Sequence, residues 1–181
     1  MVKKNLEYLT SFFLHERFNR NLRYFDNPGF MDFVEDRKEA FQRVFNVVNI
    51  ESPVNIPAST SLDRFAVIKP KTKIGENVLV SQRAFLQNSN LGKGANAQEN
   101  CYIINSNLQG NNVTAHGAKL IDVELEKNVF VGFNSFLRGA FEFPLRVGEG
   151  VIVMPHTIID MQASLTIPAG HLVWGLVNDE K

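Results

Sequence analysis

Residues 91–103 read LGKGANAQENCYI, with apolar side chains at Leu91, Ala97 and Ile103, six positions apart. The same interval recurs on both sides of this stretch. Ile74, Val80 and Leu86 form one series, and Leu108, Thr114 and Leu120 another. Leu125, Val131, Leu137 and Phe143 follow, then Val147, Val153, Ile159 and Leu165. A period of six matches neither the 3.6 of a helix nor the 2 of a lone strand. It is the mark of a hexapeptide repeat, in which each hexad makes one short strand and one turn. Three hexads close a coil of about eighteen residues, and the apolar residue points inward onto its equivalents in neighbouring coils.

Two further regularities support this reading. Gly often follows the inward residue, as at Gly75, Gly92, Gly132 and Gly148. Small or β-branched residues stand four positions after it: Val78, Ala84, Ala95, Ala118, Val129, Ser135, Val151, Thr157 and Ala163. Small side chains fit tight corners, and Gly or Asn adopts turn geometry that bulkier residues resist. Val78, Val113, Val129 and Val151 sit in similar Asn-Val or Gly-Val contexts. Their unequal spacing predicts a shortened side near residue 120 and a bulging loop at Phe143-Pro144-Leu145-Arg146. The solenoid is expected over residues 51–175, with a C-terminal tail at 176–181.

Upstream the texture changes. Eight of the 15 Phe residues fall before residue 46. Leu6, Leu9, Phe13, Phe18, Leu22 and Phe25 recur at gaps of mostly three and four, and Phe30, Phe33, Val34, Phe41, Val44 and Phe45 fall on one side of a second helical stretch. Asn27-Pro28-Gly29 breaks the two stretches. Residues 1–50 therefore read as a helical extension whose apolar stripes must lie on the solenoid or on a partner. The first 25 residues carry five basic and two acidic side chains. A basic amphipathic N-terminus suits a mitochondrial targeting signal, but Glu7 and Glu16 favour a structural helix.

Lys+Arg and Asp+Glu are 19 each, so the formal net charge is zero. Such a balance argues against a protein built to grip nucleic acid. The single cysteine, Cys101, allows no internal disulfide and is expected to be buried and inert. No apolar run approaches the ~20 residues of a membrane-spanning helix. The chain is expected to be soluble, or attached to a membrane through something else.

Three stretches narrow the class: Gly94-Ala95-Asn96-Ala97-Gln98-Glu99-Asn100, Asn112-Val113-Thr114-Ala115-His116-Gly117-Ala118, and Ile167-Pro168-Ala169-Gly170-His171-Leu172-Val173-Trp174-Gly175. They resemble the γ-class carbonic anhydrase segments T-N-I-Q-D-N, N-V-T-I-G-H-x-A and I-P-x-G-x-x-V-W-G-x-P-A. The resemblance implies a left-handed parallel β-helix that assembles as a trimer. It also implies zinc held at a subunit interface by three histidines, two from one chain and one from its neighbour.

The chain departs from that pattern. The first and third family histidines map onto Ile104 and Ile121, which offer no lone pair, and only His116 survives. The family's arginine and aspartate of an R-G-D turn map onto Gln87 and Ser89. Asn96 and Gln98 match polar positions near the family site. An ungapped alignment, placing Gly117 and Asp122 at the two histidine positions, is no better for zinc. Two readings of His116 stand: a single ligand lent to zinc at an interface completed by a neighbour, or a leftover polar residue. His15, His156 and His171 read as structural or solvated. The chain itself is expected to hold no cofactor.

Arg37 to Phe45 followed by Val54-Asn55-Ile56-Pro57 is similar in layout to the γ-type subunits of mitochondrial respiratory complex I, some of which lack the histidines. The resemblance therefore implies a structural, non-catalytic member of a heterotrimer with two other γ-carbonic-anhydrase-type subunits. These would sit on complex I membrane-arm subunits, on the matrix side of the inner membrane. Two alternatives stay open. One is a hexapeptide-repeat acyltransferase using His116 as general base and an acyl-coenzyme A donor. The other is a free trimeric scaffold or binding protein in a cytoplasm.

Overall fold

A computed structural model describes residues 49–50, 55–63 and 65–179. The helical expectation for the N-terminal extension lies outside the described residues, except at its last two positions. Asn49–Ile50 (β1) form a strand, because their backbone pairs in parallel with Val67–Ile68 (β3).

All described elements are strands of two or three residues, and every pairing between them is parallel. They stack into three sheets that form the faces of a parallel β-helix of about seven turns. Face A carries β1, β3, β6 (Phe85–Gln87), β9 (Tyr102–Ile104), β12 (Lys119–Ile121), β15 (Phe136–Arg138), β18 (Ile158–Asp160) and β21 (Leu176–Asn178). Face B carries β2 (Ser61–Leu62), β5 (Leu79–Val80), β8 (Asn96–Ala97), β11 (Val113–Thr114), β14 (Phe130–Val131), β17 (Ile152–Val153) and β20 (Leu172–Val173). Face C carries β4 (Lys73–Ile74), β7 (Asn90–Leu91), β10 (Asn107–Leu108), β13 (Val123–Leu125), β16 (Leu145–Val147) and β19 (Thr166–Ile167). The expected boundary at 175 is thus passed by β21, which pairs with β18.

The period-six residues are the core. Leu86, Ile103, Leu120 and Leu137 form one fully buried column on face A, in register with one another. Leu91, Leu108 and Leu125 form its counterpart on face C. Two expected members fall outside: Phe143 is largely exposed and Leu165 only partly buried. Ala163, expected at a corner, is exposed, since Leu165 holds the corner position and Ala163 falls among the extra residues between β18 and β19.

Thr114 takes the inward position between Ala97 and Val131, fully buried, and its hydroxyl has no hydrogen-bond partner. A buried unpaired hydroxyl is destabilising. Thr114→Val keeps the shape and removes the hydroxyl, so it is expected to raise stability by about 1 kcal/mol in urea unfolding. A loss of stability would show that the hydroxyl is bonded.

The coil length explains the uneven valine spacing. Face A positions step by 17 through Phe85, Tyr102, Lys119 and Phe136, then by 22 to Ile158. Each 17-residue coil is short by one residue at the A-to-C edge, as between Leu120 and Leu125. The side near residue 120 is therefore short, but so are its equivalents in the two coils below. Val113 is not the equivalent of Val78. The backbone hydrogen bonds Leu79 to Ala95, Asn96 to Asn112 and Val113 to Val129 make Asn112 the corner residue. Asn112 is tolerated there, fully buried, because its amide accepts from Gly110 N at 2.8 Å and donates to the Glu126 carbonyl. The extra residues of the long coil form a loop at 140–144, closed by reciprocal Ala140–Phe143 backbone bonds. Leu145 and Arg146, expected in that loop, belong to β16.

Corners recur in the left-handed backbone region, and seven of their residues are Asn: 77, 88, 100, 105, 111, 128 and 134. Asn visits this conformation because its short polar side chain bonds locally. The upper coils turn apolar groups outward, with Phe130, Ile152 and Leu172 in one row on face B and Trp174 nearby, a strip of the kind that marks a contact surface.

Candidate functional site

The edge joining face B to face A is built from four-residue corners. In successive coils these read Gln98-Glu99-Asn100-Cys101, Ala115-His116-Gly117-Ala118 and Gly132-Phe133-Asn134-Ser135. The third residue of each has positive φ, at 58°, 70° and 54°. The fourth is buried. That geometry turns the second residue outward, so Glu99, His116 and Phe133 form one column along the edge. Backbone bonds hold His116 in place: Gly117 N donates to Glu99 O at 2.9 Å, and Asn134 N to His116 O at 2.9 Å.

His116 Nδ1 lies 2.6 Å from Glu99 Oε2. The His116 and Glu99 side chains are 62% and 40% exposed, so both reach solvent. A carboxylate on Nδ1 selects the tautomer that carries its proton there and leaves the Nε2 lone pair free. Two coils below Glu99 on the same edge, burial pushes the Asp63 carboxyl up, Glu99's charge adds to the rise, and a hydrogen bond from Ser81 opposes it. The edge thus presents an imidazole oriented by one carboxylate, with a second carboxyl below.

The expected site residues split between two edges. Gln87, Ile104 and Ile121 form one column at the far end of the face A strands, in direct register. Asn96, Gln98 and His116 lie on face B or at its edge with face A. Within one chain β12 separates His116 from Ile121. Asn96 Oδ1 is buried and has no hydrogen-bond partner. Ser89 is buried; its hydroxyl donates to backbone carbonyls and accepts from Ser106 N, a structural role in the solenoid wall. Among the described residues zinc finds no complete donor set: isoleucine supplies no lone pair, and no three His, Cys, Asp or Glu side chains are grouped for a metal. His156 occupies a corner at φ 61°, edge-on to the Phe133 ring, and His171 Nδ1 lies 3.1 Å from the Ala169 carbonyl.

Sequence reasoning singled out His116 and left Glu99 unassigned, although Glu99 stands in one of the quoted segments. The usable signal was the 17-residue coil, which puts Glu99 one turn below His116.

Cys101 is fully buried at the corner behind this edge. Burial pushes its thiol up from about 9 to about 12, with the Glu99 charge adding to the rise. The native protein is expected to resist a thiol reagent at pH 8 and to react once denatured. Fast native labelling would contradict this burial. The neutral thiol's contribution to stability is full below about pH 9 and is lost as pH rises towards about 12.

No family model matches the chain, and no curated relative does. Solved structures do. A crystal structure from Desulfovibrio desulfuricans G20, provisionally described as an acetyltransferase, is 53% identical over 83% of this chain, with a TM-score of 0.63. The match covers 30% of that protein, so the chain spans under a third of its length. A Bacillus cereus protein, also provisionally described as an acetyltransferase, is 14% identical over 71% of this chain and 77% of its own, with a TM-score of 0.52. At that identity the second likeness speaks to fold alone. The fold is a left-handed β-helix of hexapeptide repeats. The carbonic anhydrase and respiratory-complex terms of the sequence reading find no counterpart in these relatives.

Proposed function

We propose that this chain provides the β-helix of a hexapeptide-repeat acyltransferase, which moves an acyl group from a thioester carrier to a hydroxyl or amine. The observation that carries the reading is the exposed His116–Glu99 pair, 2.6 Å apart, on a solenoid edge. The acetyltransferase description of the 53%-identical Desulfovibrio protein supports it.

In this mechanism Glu99 orients the ring through Nδ1 and stabilises the imidazolium that forms. Nε2 takes the proton from the acceptor as its oxygen or nitrogen attacks the thioester carbonyl. The tetrahedral adduct collapses, the C–S bond breaks, and the thiolate leaves with the proton returned by the imidazolium. Atoms and charge balance without a metal. The sequence reading of a non-catalytic heterotrimer subunit shares the solenoid and His116 but gives the His116–Glu99 pair no chemical task.

The test is calorimetry with coenzyme A, followed by release of free thiol from acetyl-coenzyme A in the presence of hydroxyl and amine acceptors. Binding with acceptor-dependent release is expected. Absence of both would overturn the proposal.

A further inference from the structure

We propose that the edge joining face A to face C is a binding groove for a hydroxyl-rich, acid-bearing saccharide. This edge is not the one that carries His116, and the proposal does not depend on acyl transfer. A groove of about 530 Å³ crosses the edge.

Its floor is made of paired amides. Asn88 Nδ2 donates to Asn105 Oδ1 at 3.0 Å, and Asn90 Nδ2 donates to Asn107 Oδ1 at 2.8 Å. The first pair has a structural reason, since Asn88 and Asn105 hold positive φ of 46° and 50° at corners. Asn90 and Asn107 lie in β7 and β10, strand positions where Asn is disfavoured. Each pair leaves a carbonyl oxygen at one end and an amide NH2 at the other for a ligand. Coils stack at about 4.8 Å, so each pair bridges two neighbouring coils and the two pairs together lay a polar row of donors and acceptors along the groove.

Two further features choose among polar ligands. Phe141, on the loop at 140–144, lines the groove yet is 80% exposed. A solvated phenyl ring beside a polar floor suits the apolar CH face of a pyranose, with the hydroxyl edge turned down to the amides. Lys71 and Lys73 close one end, and neither has an ion-pair partner among the described residues. Asp122 and Glu124 lie at the other end, where Glu124 is held by Arg146 Nε at 3.1 Å and both carboxylates repel an anion. The acid group of the ligand therefore belongs at the lysine end.

Calorimetry with trigalacturonate tests this, with its fully methyl-esterified form as the uncharged control. Trigalacturonate is expected to bind, and the ester about tenfold more weakly. Phe141→Ala and the double variant Lys71→Ala/Lys73→Ala are each expected to weaken binding about tenfold without changing the melting temperature, because these side chains support no core contact. Asn107→Leu removes the acceptor of the Asn90 amide and should weaken binding to a similar degree. Failure of both saccharides to bind would overturn the proposal, as would binding indifferent to Phe141 and the lysines. Equal binding of the ester would overturn the requirement for an acid group.

Discussion

His116→Ala is expected to lower acyl transfer by about 100- to 10,000-fold, the usual contribution of a positioned general base. The loss should fall on kcat, since the imidazole handles a proton in the transition state and does little to hold the thioester. The side chain is 62% exposed on a corner whose backbone is held by Gly117 and Asn134. Removing it should leave the coil intact, with an unchanged melting curve and coenzyme A titration. Glu99→Gln should cost less, because the ring stays and only its orientation and the imidazolium partner suffer. The decisive comparison is single-turnover thiol release from acetyl-coenzyme A by the three proteins. If His116→Ala keeps the wild-type rate while coenzyme A still binds, the base lies elsewhere.

The second large effect is on stability. Leu120 is fully buried and stacks between Ile103 below and Leu137 above. Leu120→Ala deletes buried methyl groups and leaves a void that rigid neighbouring rungs cannot close, at a cost of about 2–5 kcal/mol. Against a typical total of about 5–15 kcal/mol, that is a large fraction. Because each coil touches only its neighbours, the damage should spread along the axis. Amide exchange should accelerate first in β9, β12 and β15. Urea unfolding showing a change below about 1 kcal/mol would mean that the inward column is not close-packed at this level. Ile121→Ala, one residue along the same strand but only half-buried, is the natural contrast and should cost less.

The solenoid was legible from residues because its information is local and repeated. An inward side chain every six positions, a small corner residue and a left-handed Asn each answer a requirement that recurs in every coil. One-residue errors of register survived nonetheless. Val113 was aligned with Val78 although Asn112 holds the corner, since a polar side chain in a buried position gives no hydrophobic signal when its amide satisfies backbone groups. Similarly, Leu145 looked like loop only until the reciprocal Ala140–Phe143 bonds marked where the insertion ends.

The candidate site was only half legible. His116 stood out as the surviving histidine of a motif, and the hydrocarbon at Ile104 and Ile121 told against metal in this chain. Its pairing with Glu99 was not readable from spacing alone, because 17 residues is a contact distance only if one side of each coil is a residue short. The amide pairs of the opposite edge are likewise separated by 17 positions.

Sequence by itself therefore determined the wall of this protein: three faces, their inward columns and their corners, all set by side chains acting on their own few neighbours. Tertiary structure alone decided which outward side chains meet. Those meetings depend on the exact length of each coil, and a single residue gained or lost moves every column above it relative to those below.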